Sequence, residues 1–232
     1  MRAKFHAVGL VLIAAGFLLC PLAVTAEEKT LNLDQLNEKL TKNPDDWDSL
    51  FDRSIVLAVL HRYPAALADM DHAIHLRPKD YKGYANKAAI CGRAKQFAEA
   101  KESYTQAIEL RPDDAGLLSE RAKAFACMGS RQKEIDDLTA ALRAMKSSMF
   151  AQTRKLNHIT SDAVFEGSLL TRRGNAYYQL TKYDDAYRDF DAAIKLNPND
   201  GGAYLGRGLL HSQKDQYQAS LDDFNRAVRA NP

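Results

Sequence analysis

The chain has 232 residues, 32 of them Lys or Arg and 30 Asp or Glu, and 46% are apolar, which excludes a disordered or collagen-like polypeptide. Without Arg2 and Lys4 the charge is balanced at zero, because no acidic residue precedes Glu27, and a balanced chain is not read as a nucleic-acid binder. Three cysteines are too few for a disulfide scaffold.

Residues 1–26 carry the pattern of an export signal. Arg2 and Lys4 form a short basic start, Val8 to Cys20 an apolar run, and Pro21 breaks it. Val24-Thr25-Ala26 then places small residues before a cleavage point between Ala26 and Glu27. A second reading stays open: Ala7 to Ala26 is uncharged and long enough to span a bilayer as an uncleaved anchor. Leu19 before Cys20 speaks against lipid attachment. Residues 27–46 read as a linker and a capping helix. Within it Leu31 to Asn43 places Leu33, Leu36 and Leu40 at helical spacing.

From residue 47 onward the chain repeats. Pro44, Pro78 and Pro112 are evenly spaced, and the interval returns between Pro198 and Pro232. Five residues before a proline stand Ala73, Ala107, Ala193 and Ala227. Eight before stand Met70, Tyr104, Phe190 and Phe224, and fifteen before stand Tyr63, Phe97, Tyr183 and Tyr217. Ala141 and Leu138 keep the pattern in a unit that lacks the proline and ends at Lys146. Ala186, Phe190, Ala193 and Ile194 fall on one helical face, and proline drives the residue before it out of the α region. One such hairpin does not bury its apolar face alone, so neighbours stack.

This pattern, with its period of about 34 residues, resembles the tetratricopeptide repeat. Five units are read: 47–80, 81–114, 115–146, 167–200 and 201–232, with an insert at 147–166. The family's Trp position holds Leu50, Tyr84, Leu118, Leu170 and Tyr204, and its Gly position holds Ser54, Ala88, Ala122, Gly174 and Gly208. The resemblance implies an all-α protein, a right-handed α-solenoid of five helix hairpins (helix A, then helix B) behind an N-terminal capping helix.

The insert carries Arg154, Lys155 and His158 beside Met149, Phe150, Leu156 and Ile159. It is read either as lengthened helices with a loop or as a lid or docking element. The last unit ends on Pro232 without a further helix, so part of its helix B is expected to face water. That leaves an open end or self-association through it.

Little in the chain reads as chemistry. No HExxH motif, CxxC pair or phosphate-cradling glycine loop is present. Asp69, His72 and His75 have a spacing that suits metal ligands but are read as a solvated outer face. So are the helix B runs Asp69/Asp71, Asp136/Asp137, Asp184/Asp185/Asp189 and Asp222/Asp223, which lack calcium-loop spacing. Cys91 is expected to be buried and inert. The chain is read as no enzyme, with no catalytic residue, cofactor or metal.

By the resemblance, the A helices line a concave face that holds a protein or peptide. The positions implied are Asp48, Phe51, Asp52 and Ile55; Lys82, Asn86 and Arg93; Glu120 and Lys123; Arg172, Asn175 and Gln179; and Leu205 and Leu209. A subgroup of the family grips chaperone C-terminal carboxylates with a Lys/Asn clamp. Asn86 fits one clamp position, but Phe51, Ile55, Gly116 and Glu120 occupy the others, so that role is not expected. The implied function is a non-enzymatic scaffold exported to a bacterial periplasm or secreted. The alternatives are a membrane-anchored assembly factor and a self-associating structural module.

Overall fold

A computed structural model describes residues 26–147 and 159–230, and among these residues it is all helical. A single helix, α1 (Ala26–Lys42), precedes five antiparallel hairpins. These are α2 (Trp47–Val59) with α3 (Tyr63–Leu76), α4 (Tyr81–Arg93) with α5 (Phe97–Leu110), and α6 (Ala115–Cys127) with α7 (Arg131–Lys146). They continue as α8 (Ile159–Gln179) with α9 (Tyr183–Leu196), and α10 (Gly201–Gln213) with α11 (Tyr217–Ala230). The first helix of each pair is the A helix and the second the B helix. The signal-like residues 1–25 and the insert residues 148–158 lie outside the described residues. Among those described, no helix is long and apolar enough to cross a membrane.

The punctuation follows the sequence. Helices α3, α5 and α9 stop two residues before Pro78, Pro112 and Pro198, with Arg77, Arg111 and Asn197 at φ −133°, −141° and −135°, out of the α region as a following proline requires. The next A helix opens on an aspartate. The carboxylates of Asp80, Asp114 and Asp200 accept from the backbone N–H of Lys82, Gly116 and Ala203, which satisfies donors that a helix start leaves free. In α1, Leu33, Leu36 and Leu40 are buried, and Leu33 and Leu40 share a cluster with Leu50 and Leu57 of α2. That helix begins at Ala26, earlier than the expected Leu31.

The repeat pattern is a packing pattern. Ala73, Ala107, Ala141 and Ala193 have no exposed surface, nor do Met70, Leu138 and Phe190. Each large residue stands at a constant offset from a small one on the A helix before it: Met70 from Ser54, Tyr104 from Ala88, Leu138 from Ala122, Phe190 from Gly174 and Phe224 from Gly208. Glycine goes with the two phenylalanines. A Cβ on Gly174 would sit 2.8 Å from the Phe190 ring, and one on Gly208 would sit 2.7 Å from the Phe224 ring. The Phe190 ring also rests on Gly206 of the next hairpin, where a Cβ would approach to 2.3 Å.

One expectation is corrected. Four of the helix B aspartates do not face solvent: Asp69, Asp137, Asp189 and Asp223 are buried. Each takes two hydrogen bonds from an arginine of its own A helix, always at the same separation along the chain. Arg53, Arg121, Arg173 and Arg207 donate from Nε and Nη2 at 2.7–2.9 Å. The third arginine nitrogen, Nη1, reaches back to the preceding helix. It meets Asn37 of α1, Thr105 of α5, Thr139 of α7 and Asp191 of α9 respectively. A planar guanidinium with a fixed fork of donors suits such a three-way contact. In the second hairpin Ser103 replaces the aspartate, and Lys87 turns to Asp71 of the first hairpin at 2.6 Å. Asp71, Asp136, Asp184 and Asp222 are exposed.

Candidate functional site

The sequence-predicted binding residues all lie on the five A helices, some exposed and some half-buried. On α2, Leu50, Ser54, Leu57 and Ala58 are buried, while Asp48 and Asp52 are exposed and Phe51 and Ile55 half-buried. The Phe51 ring stacks on Trp47 with centroids 4.9 Å apart, and the Arg77 guanidinium lies 4.3 Å above the Trp47 ring. Partial burial, followed by the charge of Asp48, holds the Asp52 carboxyl above the usual carboxylate range. Trp47 was not among the predicted residues. Its signal was available as an aromatic four positions before Phe51, one helical turn away.

On α4, Lys82 and Asn86 are half-buried and Arg93 is exposed. The Asn86 side-chain amide donates to the Lys82 carbonyl at 2.9 Å. On α6, Glu120 and Lys123 form an ion pair along one turn. On α8, Asn175 and Gln179 are exposed, and on α10 Leu205 and Leu209 are 50% and 39% exposed.

Arg172 ties two of these helices together. Its Nη1 donates to the Ser119 hydroxyl at 2.7 Å and its Nη2 to the Ser119 carbonyl at 3.1 Å, a contact between residues 53 positions apart. Burial weakens the hold of Arg172 on its proton, and the charges of Glu120 and Glu134 oppose that effect. Arg172, Glu120 and Lys123 therefore form one charged cluster at the junction of the third and fourth hairpins. The predicted residues on α2, α4 and α10 contribute as separate patches on their own helices. The exposed predicted residues are acidic on α2, polar or charged on α4 and α8, and apolar on α10.

The metal-like trio is taken apart by the fold. Asp69 is engaged with Arg53, His72 pairs with Asp45 at 2.8 Å, and His75 is exposed. Among the described residues, no group of three or more His, Cys, Asp or Glu is placed to hold a metal ion. Cys91 is buried and Cys127 exposed, both as free thiols. Burial raises the Cys91 thiol above its ordinary value, as expected of an unreactive core cysteine.

Comparison with known proteins gives one consistent answer. Tetratricopeptide repeat models match residues 81–114 and 171–232. Stress-induced-phosphoprotein 1 of Caenorhabditis elegans is 24% identical over 177 residues, covering 68% of this chain and 54% of that protein. Tetratricopeptide repeat protein 16 of Macaca fascicularis is 25% identical over 185 residues, covering 76% of this chain and 20% of that one. The chain thus spans about half or less of the length of the curated relatives it matches. Among solved structures, BtubC from P. vanneervenii superposes with a TM-score of 0.68 at 15% identity, over 88% of each chain. YrrB, described as a tetratricopeptide protein with an unusual peptide-binding site, superposes with a TM-score of 0.63 at 15% identity, over 86% of this chain and 94% of that one. Residues 81–114 and 171–232 of this chain are tetratricopeptide repeats, set in an all-helical solenoid.

Proposed function

We propose that this protein is an exported, non-enzymatic scaffold that holds an extended segment of another protein against its A-helix face. Repeats of this type generally mediate protein–protein interaction and peptide binding, and a solenoid offers an extended surface for it. The observation that carries the reading is the uncovered face itself. Asp48 and Asp52 on α2, Arg93 on α4, Asn175 and Gln179 on α8, and Leu205 and Leu209 on α10 are all exposed. Leucines exposed one turn apart are costly to leave in water and rewarding to cover.

Export rests on the signal-like residues 1–26, with the bacterial periplasm or secretion as the destination. Retention of that segment would make the same scaffold membrane-anchored. Intact mass of the exported protein separates the two: a chain starting at Glu27 supports cleavage, and one starting at Met1 refutes it.

A second reading has its own observation. Helix α11 exposes Tyr217, Leu221 and Val228 at 68%, 54% and 68%, a face that a second copy would cover. Light scattering of a concentrated sample decides it, since a strict monomer refutes self-association.

The binding reading is tested by capture from the native compartment with wild type and a variant carrying Arg93→Ala, Asn175→Ala, Leu205→Ala and Leu209→Ala. All four side chains are exposed, so the solenoid is retained. A dominant partner lost in the variant supports the A-helix face. A partner held equally well by both refutes it.

A further inference from the structure

The junction between the third and fourth hairpins is built unlike the others, and it opens a cleft on the B-helix side. Elsewhere an aspartate at a fixed repeat position starts the A helix, as Asp80, Asp114 and Asp200 do. Glu166 stands one full repeat before Asp200, at the same repeat position, yet α8 runs through it from Ile159. Helix α7, with no proline to stop it, continues to Lys146. Between α7, α8 and α9 lies a cleft of about 520 Å³, within the range of ligand-sized sites. Its lining includes none of the residues predicted for the A-helix face.

The cleft has a small apolar wall and a basic rim. Ala192 and Leu196, both half-buried, form the wall over the core residues Leu142 and Leu170. On the rim stand Arg143, Lys146 and Lys195. Arg143 and Lys146 are exposed, and no ion pair to either is formed among the described residues. Lys195 contacts Asp191 at 2.7 Å but remains 74% exposed. The further lining cation, Arg173, is committed to Asp189 and Thr139, and among the described residues Glu166 is the only acidic one in the lining. The charge complement of this site is therefore an anion, and the surface of Ala192 and Leu196 suits an apolar group on the same ligand. Nucleic acid would leave that wall uncovered, and a neutral apolar ligand would leave Arg143 and Lys146 without a partner.

We propose that this cleft is a second docking site, for an acidic peptide segment of a partner protein. One apolar side chain seats on Ala192 and Leu196, and flanking carboxylates meet Arg143 and Lys146. The site is independent of the A-helix reading and stands or falls separately from it.

The test is fluorescence anisotropy with the full chain and a labelled hexapeptide, Asp-Glu-Asp-Leu-Glu-Asp. Two control peptides replace the acids by their amides or the leucine by serine. Arg143→Glu with Lys146→Glu is expected to weaken binding of the acidic peptide at least about tenfold, because two surface ion pairs become repulsions. Circular dichroism checks that the variant keeps its helix content. Rising salt weakens the wild-type complex, both control peptides bind less tightly, and Arg93→Ala with Leu205→Ala on the other face changes nothing. The proposal is overturned by equal binding to the charge-reversed variant or equal binding of the amide peptide. It is equally overturned by loss of binding in the A-face variant instead, or by no binding of the acidic peptide at millimolar concentration.

Discussion

Arg173 grips both carboxylate oxygens of Asp189 at 2.7 Å while its third nitrogen reaches Thr139 of the hairpin before. One side chain thus joins three consecutive helices, α7, α8 and α9, and the same arrangement recurs at Arg53, Arg121 and Arg207. Nearest-neighbour contacts of this kind determine how strongly one hairpin of a solenoid is coupled to the next.

Removing one partner of such a pair leaves the other buried and uncompensated. Asp137→Ala is predicted to destabilise the fold by about 3 kcal/mol or more, seen as a lower urea midpoint. Arg121→Met combined with Asp137→Leu should recover most of the loss, because two apolar groups of similar volume need no partner. A double variant as unstable as the single one would mean that the pair contributes more than mutual neutralisation.

Phe190 makes the tightest packing demand. Its ring is fully buried between Gly174 and Gly206, so Gly206→Ala drives a methyl group into the ring. Overpacking of this kind costs about 1–3 kcal/mol. Adding Phe190→Leu should return part of it, and thermal unfolding of the three proteins checks both statements.

The turn between helices A and B needs a left-handed residue in every hairpin. His61, Lys95, Gly129, Thr181 and Asp215 hold that place with φ between 57° and 71°. Thr181 is β-branched, which makes a positive φ expensive. Thr181→Gly is predicted to stabilise by about 1 kcal/mol, less the entropy that glycine loses on folding, and Gly129→Ala to destabilise by a similar amount. Urea unfolding of the two single variants gives the signs.

Asp52 provides a test in pH. Its folded carboxyl is raised by partial burial and then by Asp48, so the folded state holds the proton better than the unfolded state does. The favourable contribution is complete below the unfolded value and is lost as the pH rises through the folded one. At neutral pH the ionised group is therefore a small cost. It is about a few tenths of a kcal/mol, because the side chain is exposed and screened. Asp52→Asn should raise the melting temperature slightly at pH 7 and leave it unchanged near pH 3, where both proteins are neutral at that position.

Much of the fold was legible in the sequence because proline, alanine and the aromatic positions act locally. Pro78, Pro112 and Pro198 stop the helices before them, and Ala73, Ala107 and Ala193 permit close approach within their hairpins. The arginine–aspartate clamps were not read, although their signal was present. Arg53 and Asp69, Arg121 and Asp137, Arg173 and Asp189, and Arg207 and Asp223 all share one separation along the chain. Taken one helix at a time, an aspartate beside other aspartates looks solvated, and only the pairing of two helices turns it inward. That the predicted residues fall on A helices followed from the repeat register. The link from Arg172 to Ser119 did not, because it crosses the insert and depends on how α8 settles on α6.

The most direct measurement is cross-linking mass spectrometry of the exported protein with its partner in the native compartment, read at single lysines. Lys82 and Lys123 lie on A helices, and Lys101, Lys133 and Lys195 on B helices. Partner cross-links concentrated at Lys82 and Lys123, and lost when Arg93, Asn175, Leu205 and Leu209 are changed to alanine, are the predicted result. Links that cluster on the B-helix lysines and survive those changes would contradict the A-helix face as the binding surface.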